Sequence, residues 1–446
     1  MSGLMTASLL VVGAGASGMA SAIAARQTAD RLGIRREDFS IVIVERNSRV
    51  GEKIRISGGG KCNITHEGLP QEVLRKGFFN RAEERFLRKA LFGFTNSDIL
   101  ELLLKKGLRA RAREDGKVFP VEGDGTAVAE AFESLLEDSA VRIEYSSRVT
   151  KVLFRDGLFE VFFEEGGSLG AEWLVLATGG VSWPQTGTTG DGLRIARLLG
   201  HTQTSPSPAL APLYLVRLPS SSLAGIALRS VGLRVFSLSG EAVRRGDVLI
   251  THKGLSGPAA LSISREAALF SDKDKKCAVV ADLFPDLTDA VLEAELLRHA
   301  VEKGSQMIRK FLQMCPIAPT GGLRGSSLNG TIPTALVPLI MKHAGLEEDV
   351  TWSTLPKIGR KKLLTVLKRF PLGEVGRVPL EQGEVSAGGT ALREVNPKTM
   401  ESRVVPGLFL CGELLDYAGE IGGFNLQAAF STGWLAGSSA ASQLQE

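Results

Sequence analysis

The chain has 446 residues, 43% of them hydrophobic and 23% charged, with 51 glycines and a net charge of +4. That length leaves room for two or three domains around a large core, and the composition reads as an α/β protein with more close backbone contacts than usual. Four cysteines, Cys62, Cys277, Cys315 and Cys411, form no CxxC pair, which excludes a disulfide scaffold, argues against structural zinc and suits a reducing cytoplasm.

The first apolar run has no basic segment before it and ends at a glycine turn, so it reads as a strand and not a signal peptide. Leu9-Leu10-Val11-Val12 leads into Gly13-Ala14-Gly15-Ala16-Ser17-Gly18 and a small-residue helix. Each glycine has its own task in a dinucleotide seat. Gly13 makes the tight turn, Gly15 admits a pyrophosphate, and Gly18 packs helix on strand. Ala16 and Ser17 open the helix, whose free N–H groups and dipole favour phosphate. A second β-type run, Phe39 to Val44, ends in Glu45, somewhat later than the roughly 20 residues usual after the glycines. An acid at that place binds ribose hydroxyls and favours FAD or NAD over NADP.

Next comes a loop, Ser57-Gly58-Gly59-Gly60-Lys61-Cys62-Asn63. Three consecutive glycines flanked by polar residues describe a backbone passing close to a polar ligand, or else a surface loop with a solvated lysine. Residues 71–140 read as helical, with Lys76, Arg81, Arg85, Arg88 and Lys89 as a basic stripe facing water. Runs at 141–143, 148–154 and 158–163 read as a short-stranded meander covering a parallel sheet. Ala171 to Ala177 is a buried strand ending in Thr178-Gly179-Gly180, which would close that sheet beside the ligand. A helix opens near Asp191 and ends at Gly200.

Residues 207–380 read as an inserted domain, β-like first and helical afterwards. From Leu210 to Leu380 there are 23 Lys and Arg against 15 Asp and Glu, an excess of +8 over a remainder of −4. That imbalance hints at an anionic partner for the segment, and the helix Lys357–Arg369 is its most basic stretch. Its most site-like part is Thr251-His252-Lys253-Gly254-Leu255-Ser256-Gly257-Pro258, either a loop over a substrate pocket or a hairpin end followed by a helix start. After residue 381 the chain rejoins the first domain. Leu408-Phe409-Leu410-Cys411-Gly412-Glu413 is a strand delivering an acid, and Gly422-Gly423-Phe424-Asn425-Leu426 is a turn opening the final helix, its amides suited to a ring that gains negative charge. The stretch 424–445 carries too many polar residues for a bilayer span.

Together these blocks resemble the BaiN/RdsA-type family of FAD-dependent oxidoreductases, nearly from end to end. The resemblance implies a glutathione-reductase-type FAD-binding Rossmann domain formed by 1–206 and 381–446, interrupted at 207–380 by a β-barrel and helices. The expected FAD contacts are Gly13, Gly15, Ala16, Ser17, Gly18, Glu45, Arg46, Lys53, Ser57, Gly58, Gly59, Gly60, Lys61, Asn63, Val149, Thr178, Gly179, Gly180, Gly412, Glu413, Gly423, Phe424, Asn425 and Leu426. Without a cysteine pair to relay electrons and without a separate nicotinamide domain, NAD(P)H would act as a transient donor at the flavin. Four activities are in view: reduction of an activated C=C bond in a small molecule, synthesis of dihydrouridine in ribosomal RNA, an aminoacetone-type amine oxidase, and a non-catalytic flavin-binding scaffold. Cys62, His252, Lys253 and Ser256 are the candidate proton donors.

Overall fold

The computed structural model describes residues 6–78, 80–315 and 332–445. Residues 316–331, which belong to the segment read as an insert, lie outside them. The chain divides into two compact units, one formed by Met1–Ser207 with Gly383–Glu446 and the other by Pro208–Gln382.

The first unit begins with β1 (Thr6–Val12), α1 (Ala16–Arg31) and β2 (Ile41–Val44). Both strands are almost entirely apolar and buried, as parallel strands with covered faces must be. A short α2 (Glu52–Ile56) precedes β3 (Thr65–His66). Helices α3 (Pro70–Gly77), α4 (Arg81–Gly93) and α5 (Asn96–Lys105) follow, then strands β4 (Ala110–Ala112) and β5 (Lys117–Pro120), and α6 (Gly125–Asp138). The region expected to be helical throughout therefore contains a hairpin, and β5 also pairs with β3. The turn Glu114-Asp115-Gly116 between the two strands is the local signal for it.

The strands β6 (Arg142–Glu144), β7 (Val149–Arg155), β8 (Leu158–Phe163) and β9 (Ser168–Leu176) complete the main sheet in the order β6-β2-β1-β9-β8-β7. The meander does not cover the sheet as expected. Instead β6 pairs in parallel with β2, and β8 hydrogen-bonds to the first half of β9. The second half of β9 is left free for another partner. After α7 (Asp191–Leu198) and β10 (Gln203–Ala209) the chain enters the second unit.

That unit holds β11 (Leu213–Leu215), β12 (Ala227–Ser237), β13 (Gly240–Ile250), β14 (Gly254–Ser256), α8 (Pro258–Asp274) and β15 (Ala278–Asp282). Four helices follow: α9 (Asp289–Glu302), α10 (Ile308–Met314), α11 (Val337–Ala344) and α12 (Lys357–Lys368), and then β16 (Phe370–Arg377). Its six strands close into a barrel in the order β11-β14-β13-β12-β15-β16. Along β12, Leu233 and Val235 are fully buried while Phe236 is exposed, the alternation of a sheet with one dry face. The basic helix needs one correction. Lys368 is buried, donates to the carbonyls of Phe284 and Leu287, and pairs with Asp282 at 2.6 Å, so it belongs to the core. Lys357, Lys361 and Lys362 remain on the surface.

The chain returns to the first unit through β17 (Val385–Thr390), which pairs with β10, and β18 (Leu408–Leu410). β18 takes the free half of β9, with Leu408 opposite Leu174 and Leu410 opposite Leu176. The last helix, α13 (Phe424–Ser442), lies against α1 so closely that ideal Cβ atoms at Gly433 and Gly437 would fall 2.1 Å and 1.8 Å from the carbonyl oxygens of Ser17 and Ser21. Among the described residues no helix is long and apolar enough to cross a membrane.

Candidate functional site

Four parallel strands, in the order β2-β1-β9-β18, end at one edge of the main sheet. The carboxyl ends of parallel strands are where α/β folds bind ligands. Each of the four releases a chemically distinct turn there: Gly13 to Gly15, Glu45 to Asn47, Thr178 to Gly180, and Cys411 to Glu413.

The three glycines of the first turn divide into two kinds. Gly13 has φ +103° and a Cβ there would sit 2.7 Å from the carbonyl oxygen of Ala177. A Cβ on Gly18 would sit 1.8 Å from the carbonyl oxygen of Gly13. Both are required by the fold itself. Gly15 has φ −80° and nothing within 4 Å of its Cβ position, so the protein gives no internal reason for a glycine. It is the first residue before α1, whose opening amides face that open space.

Glu45 is 7% exposed. One carboxylate oxygen accepts from the Ala14 N–H at 2.7 Å and the other from the Asn47 N–H at 2.8 Å. Burial pushes its pKa up, and those two amide bonds and Arg46 oppose the rise. A carboxylate accepts about four hydrogen bonds, so two acceptor positions are left for hydroxyls. Arg46 reaches across to Thr189 at 2.7 Å and the Gly187 carbonyl at 3.2 Å, fastening this turn to the loop before α7. Val149 is buried at the start of β7.

In the triple-glycine loop, Gly58, Gly59 and Gly60 all have positive φ, and Gly59 and Gly60 have no atom within 4 Å of a Cβ position. Lys61 is exposed. The Ser57 hydroxyl donates to the Ile54 carbonyl at the end of α2, and the Asn63 carboxamide oxygen is buried without a partner. Cys62 is fully buried, and burial raises its thiol to about 11. Enclosure keeps the sulfur protonated and away from solvent.

The second acid, Glu413, is tied to its own chain. One carboxylate oxygen meets Lys53 Nζ at 2.6 Å; the other accepts from the Ser386 N–H at 2.8 Å, the Ser386 hydroxyl at 3.0 Å and the Ser182 hydroxyl at 3.2 Å. Ser182 and Ser386 were not legible as site residues, because no local pattern marks a serine whose partner is 231 or 27 positions away. Gly180 lies under this cluster, its Cβ position 2.1 Å from the Ser386 hydroxyl, and a Cβ on Gly179 would crowd Thr188 at 2.9 Å. The neighbouring Thr178 hydroxyl is buried without a partner. A Cβ on Gly412 would meet the Ser17 hydroxyl at 2.4 Å, so the fingerprint helix and the last strand turn touch. The Lys53 and Glu413 side chains are 25% and 16% exposed. Glu413→Gln is therefore expected to lower stability by about 1–2 kcal/mol, and Lys53→Met combined with it to cost less than the sum. Chemical denaturation of the four proteins of that cycle checks this.

At the start of α13 the side chains face inward. Phe424 is buried against Gly77 and stacks on His66 with ring centroids 4.5 Å apart, and Asn425 closes its own turn by bonding both backbone groups of Gly419. What Gly423, Phe424, Asn425 and Leu426 can offer a ligand is their backbone amides. His66 was not expected here. Its Nδ1 lies 3.2 Å from the Gly422 carbonyl, and burial holds its pKa below the ordinary value.

His252, Lys253 and Ser256 lie in the second unit. Thr251 to Lys253 form a tight hairpin turn between β13 and β14, and α8 starts at Pro258. This is the hairpin-then-helix alternative. His252 and Lys253 are exposed, and the Lys253 ammonium lies 5.4 Å from the Tyr214 ring centre.

Around these strand ends the first unit thus holds open ground above Gly15, Gly59 and Gly60, the buried and unpartnered Asn63 and Thr178 oxygens, and Glu45 on the neighbouring strand.

A family model described as HI0933-like protein Rossmann domain matches residues 7–439. The chain is 30% identical to a 3-dehydro-bile acid delta(4,6)-reductase of Clostridium scindens, over 97% of this chain and 98% of that one. It is 28% identical to a ribosomal RNA dihydrouridine synthase of Escherichia coli, over 95% and 96% of the two chains. Among solved structures, a 3-ketosteroid-delta4-(5alpha)-dehydrogenase of Rhodococcus jostii RHA1 aligns with a TM-score of 0.49 and 14% identity, over 98% of this chain and 97% of that one.

Proposed function

The chain belongs to the HI0933-like Rossmann family of FAD-dependent oxidoreductases, and on that premise we propose that it reduces an activated C=C bond of a small molecule with NAD(P)H as donor. Bound FAD supplies hydride transfer to and from its ring. The α1 amides beyond Gly15 and the open backbone of Gly59 and Gly60 bind the pyrophosphate. Glu45 orients the ribose through its two remaining acceptor positions. Thr178 and Asn63 gain the partners they lack within the chain. The Lys53–Glu413 pair, locked by Ser182 and Ser386, holds the last strand turn in place, and the amides from Gly423 to Leu426 face the ring where reduction adds negative charge. His252, Lys253 and Ser256 are the proposed sources of the proton that completes addition across the double bond, each with a hydrogen-bonding tip outside the core.

The observation that supports this most is the open space at the Gly15 Cβ position beside the start of α1, which leaves room for a phosphate to approach. The likeness to the bile-acid reductase, the more similar of the two named relatives, favours a small enone-like substrate. A second reading, dihydrouridine synthesis in ribosomal RNA, draws on the other relative and on Lys357, Lys361 and Lys362 along one exposed helix in a segment of charge +8. The two share a hydride-to-C=C chemistry and differ in what carries the bond.

One experiment separates them. FAD-loaded protein is reduced with NAD(P)H without oxygen and then offered an enone steroid, ribosomal RNA lacking dihydrouridine, or oxygen. Rapid reoxidation by the enone supports the proposal. Reoxidation by the RNA alone replaces it with the second reading, and reoxidation by oxygen alone with peroxide release points to an oxidase. Flavin that NAD(P)H fails to bleach leaves only a scaffold.

A further inference from the structure

The amino ends of the same sheet hold a second, chemically different opening. A cavity of about 210 Å³ lies among the starts of β1, β2, β6 and β9, lined by Thr6, Ser40, Ile41 and Leu169 and by three arginines, Arg26, Arg36 and Arg142. Among the described residues no carboxylate lines it. It sits at the opposite strand ends from the glycine turns, so it is no part of the dinucleotide seat.

Arg26 is the unusual member. It projects from α1, is only 2% exposed, and donates through Nη2 to the Phe39 carbonyl at 2.5 Å. Its other two nitrogens, Nε and Nη1, have no hydrogen-bond partner, and the nearest carboxylate, that of Asp30, stands 3.9 Å from Nη1. The Arg26 guanidinium carbon also lies 5.6 Å from the Phe39 ring centre, and a buried cation with only these partners is costly unless something else neutralises it. Burial pulls the guanidinium below its ordinary pKa, with Asp30 opposing and Arg36 adding to the effect. The other two arginines keep part of their capacity free. Arg36 donates only to the Asp138 carbonyl, at 3.3 Å, and Arg142 pairs with Glu144 at 3.1 Å on the solvent side. Three arginines thus line a space bounded otherwise by Thr6, Ser40 and apolar strand ends.

We propose that this cavity is a binding site for a small oxyanion, a phosphate or a compact phosphate monoester, held by Arg36 and Arg142 beside the buried charge of Arg26. Charge selects an anion, and the planar arginine forks favour oxygens in a tetrahedral group. Size sets the upper limit, because 210 Å³ falls below the ~300 Å³ at which sites for drug-sized molecules begin. A whole dinucleotide is excluded. The ligand would offset the mutual repulsion of Arg26 and Arg36, so it would stabilise the folded first unit by an amount that rises with the logarithm of its concentration.

The test uses FAD-loaded protein, so that the dinucleotide seat is filled, and inorganic phosphate as the probe at constant ionic strength. Calorimetric titration is expected to show a saturable isotherm with one phosphate per chain and no change in the visible flavin spectrum. Arg36→Gln and Arg142→Gln, both at exposed residues whose loss leaves the core intact, should each weaken binding about tenfold, while Arg31→Gln outside the cavity leaves it unchanged. A glycerol phosphate arm separates the two sources of the group: binding as tight as that of free phosphate identifies a monoester-compatible opening, and weaker binding identifies an inorganic ion site. Absence of saturation, or binding indifferent to both arginine substitutions, overturns the proposal.

Discussion

Replacing Gly15 with valine is expected to produce a folded protein that no longer retains FAD. The position has φ −80° and ψ −173°, which a β-branched residue adopts without strain, and its Cβ direction is clear of protein for 4 Å. Losing glycine just before a helix costs at most about 1 kcal/mol. The same Cβ occupies the space in which phosphate oxygens must approach the α1 amides. The expected outcome is a loss of affinity of about a hundredfold or more, equivalent to about 2.7 kcal/mol, with a melting curve close to that of the unmodified apoprotein. Gly18→Ala should behave in the opposite way, since its Cβ would overlap the Gly13 carbonyl oxygen at 1.8 Å and the fold itself must give. Flavin content after purification, read beside thermal melting of stripped protein, distinguishes them. A Gly15→Val protein that purifies with full flavin would contradict the whole assignment of this edge.

The second large effect concerns the crossing of the first and last helices. Gly437→Val places a branched side chain where the Ser21 carbonyl oxygen lies 1.8 Å from Cβ, and backbone cannot step aside as a flexible side chain does. Helix propensity alone would favour losing that glycine by up to ~1 kcal/mol. Overpacking should reverse the sign and destabilise by about 3 kcal/mol or more. Gly93→Ala supplies the comparison: it too is helical, nothing stands within 4 Å of its Cβ, and it should gain up to ~1 kcal/mol. Denaturant midpoints measured on the two variants should therefore move in opposite directions. A Gly437→Val protein as stable as the parent would mean that the helices can separate at no cost.

What could be read from the sequence follows from how local each feature is. The strand, glycine turn and helix from Leu9 to Ala20 are contiguous, so their residue types alone mark them, and Glu45 announces itself at the end of an apolar run. The last strand and helix were equally legible as local runs, and the family resemblance added the Rossmann architecture that both chain ends share. Pairing was illegible. Nothing in Leu158 to Phe163 tells whether that strand lies on the sheet or joins it, because alternation fixes faces and not neighbours. Lys368 looked like one more surface cation on a basic helix, yet its partners Phe284, Leu287 and Asp282 come from a strand end and loop more than 80 positions earlier. That Cys62 is fully enclosed could not be read beside three glycines, because enclosure is a property of the whole core. The network of Lys53, Ser182, Ser386 and Glu413 draws on four separated stretches, and only the folded chain shows that they meet.

The contact of Ser21 with Gly437 also sets a schedule for biosynthesis. These residues are 416 positions apart, and a ribosome adding roughly 5–20 residues per second needs about 20–80 seconds to travel between them. Throughout that interval the nascent α1 lacks its closing partner, and once β9 is made its second half waits for β18, whereas the intervening barrel is complete as soon as β16 emerges. The half-finished first unit is thus the stretch most in need of a chaperone, and codon changes that slow translation beyond residue 383 should lower soluble yield more than the same changes placed before residue 207.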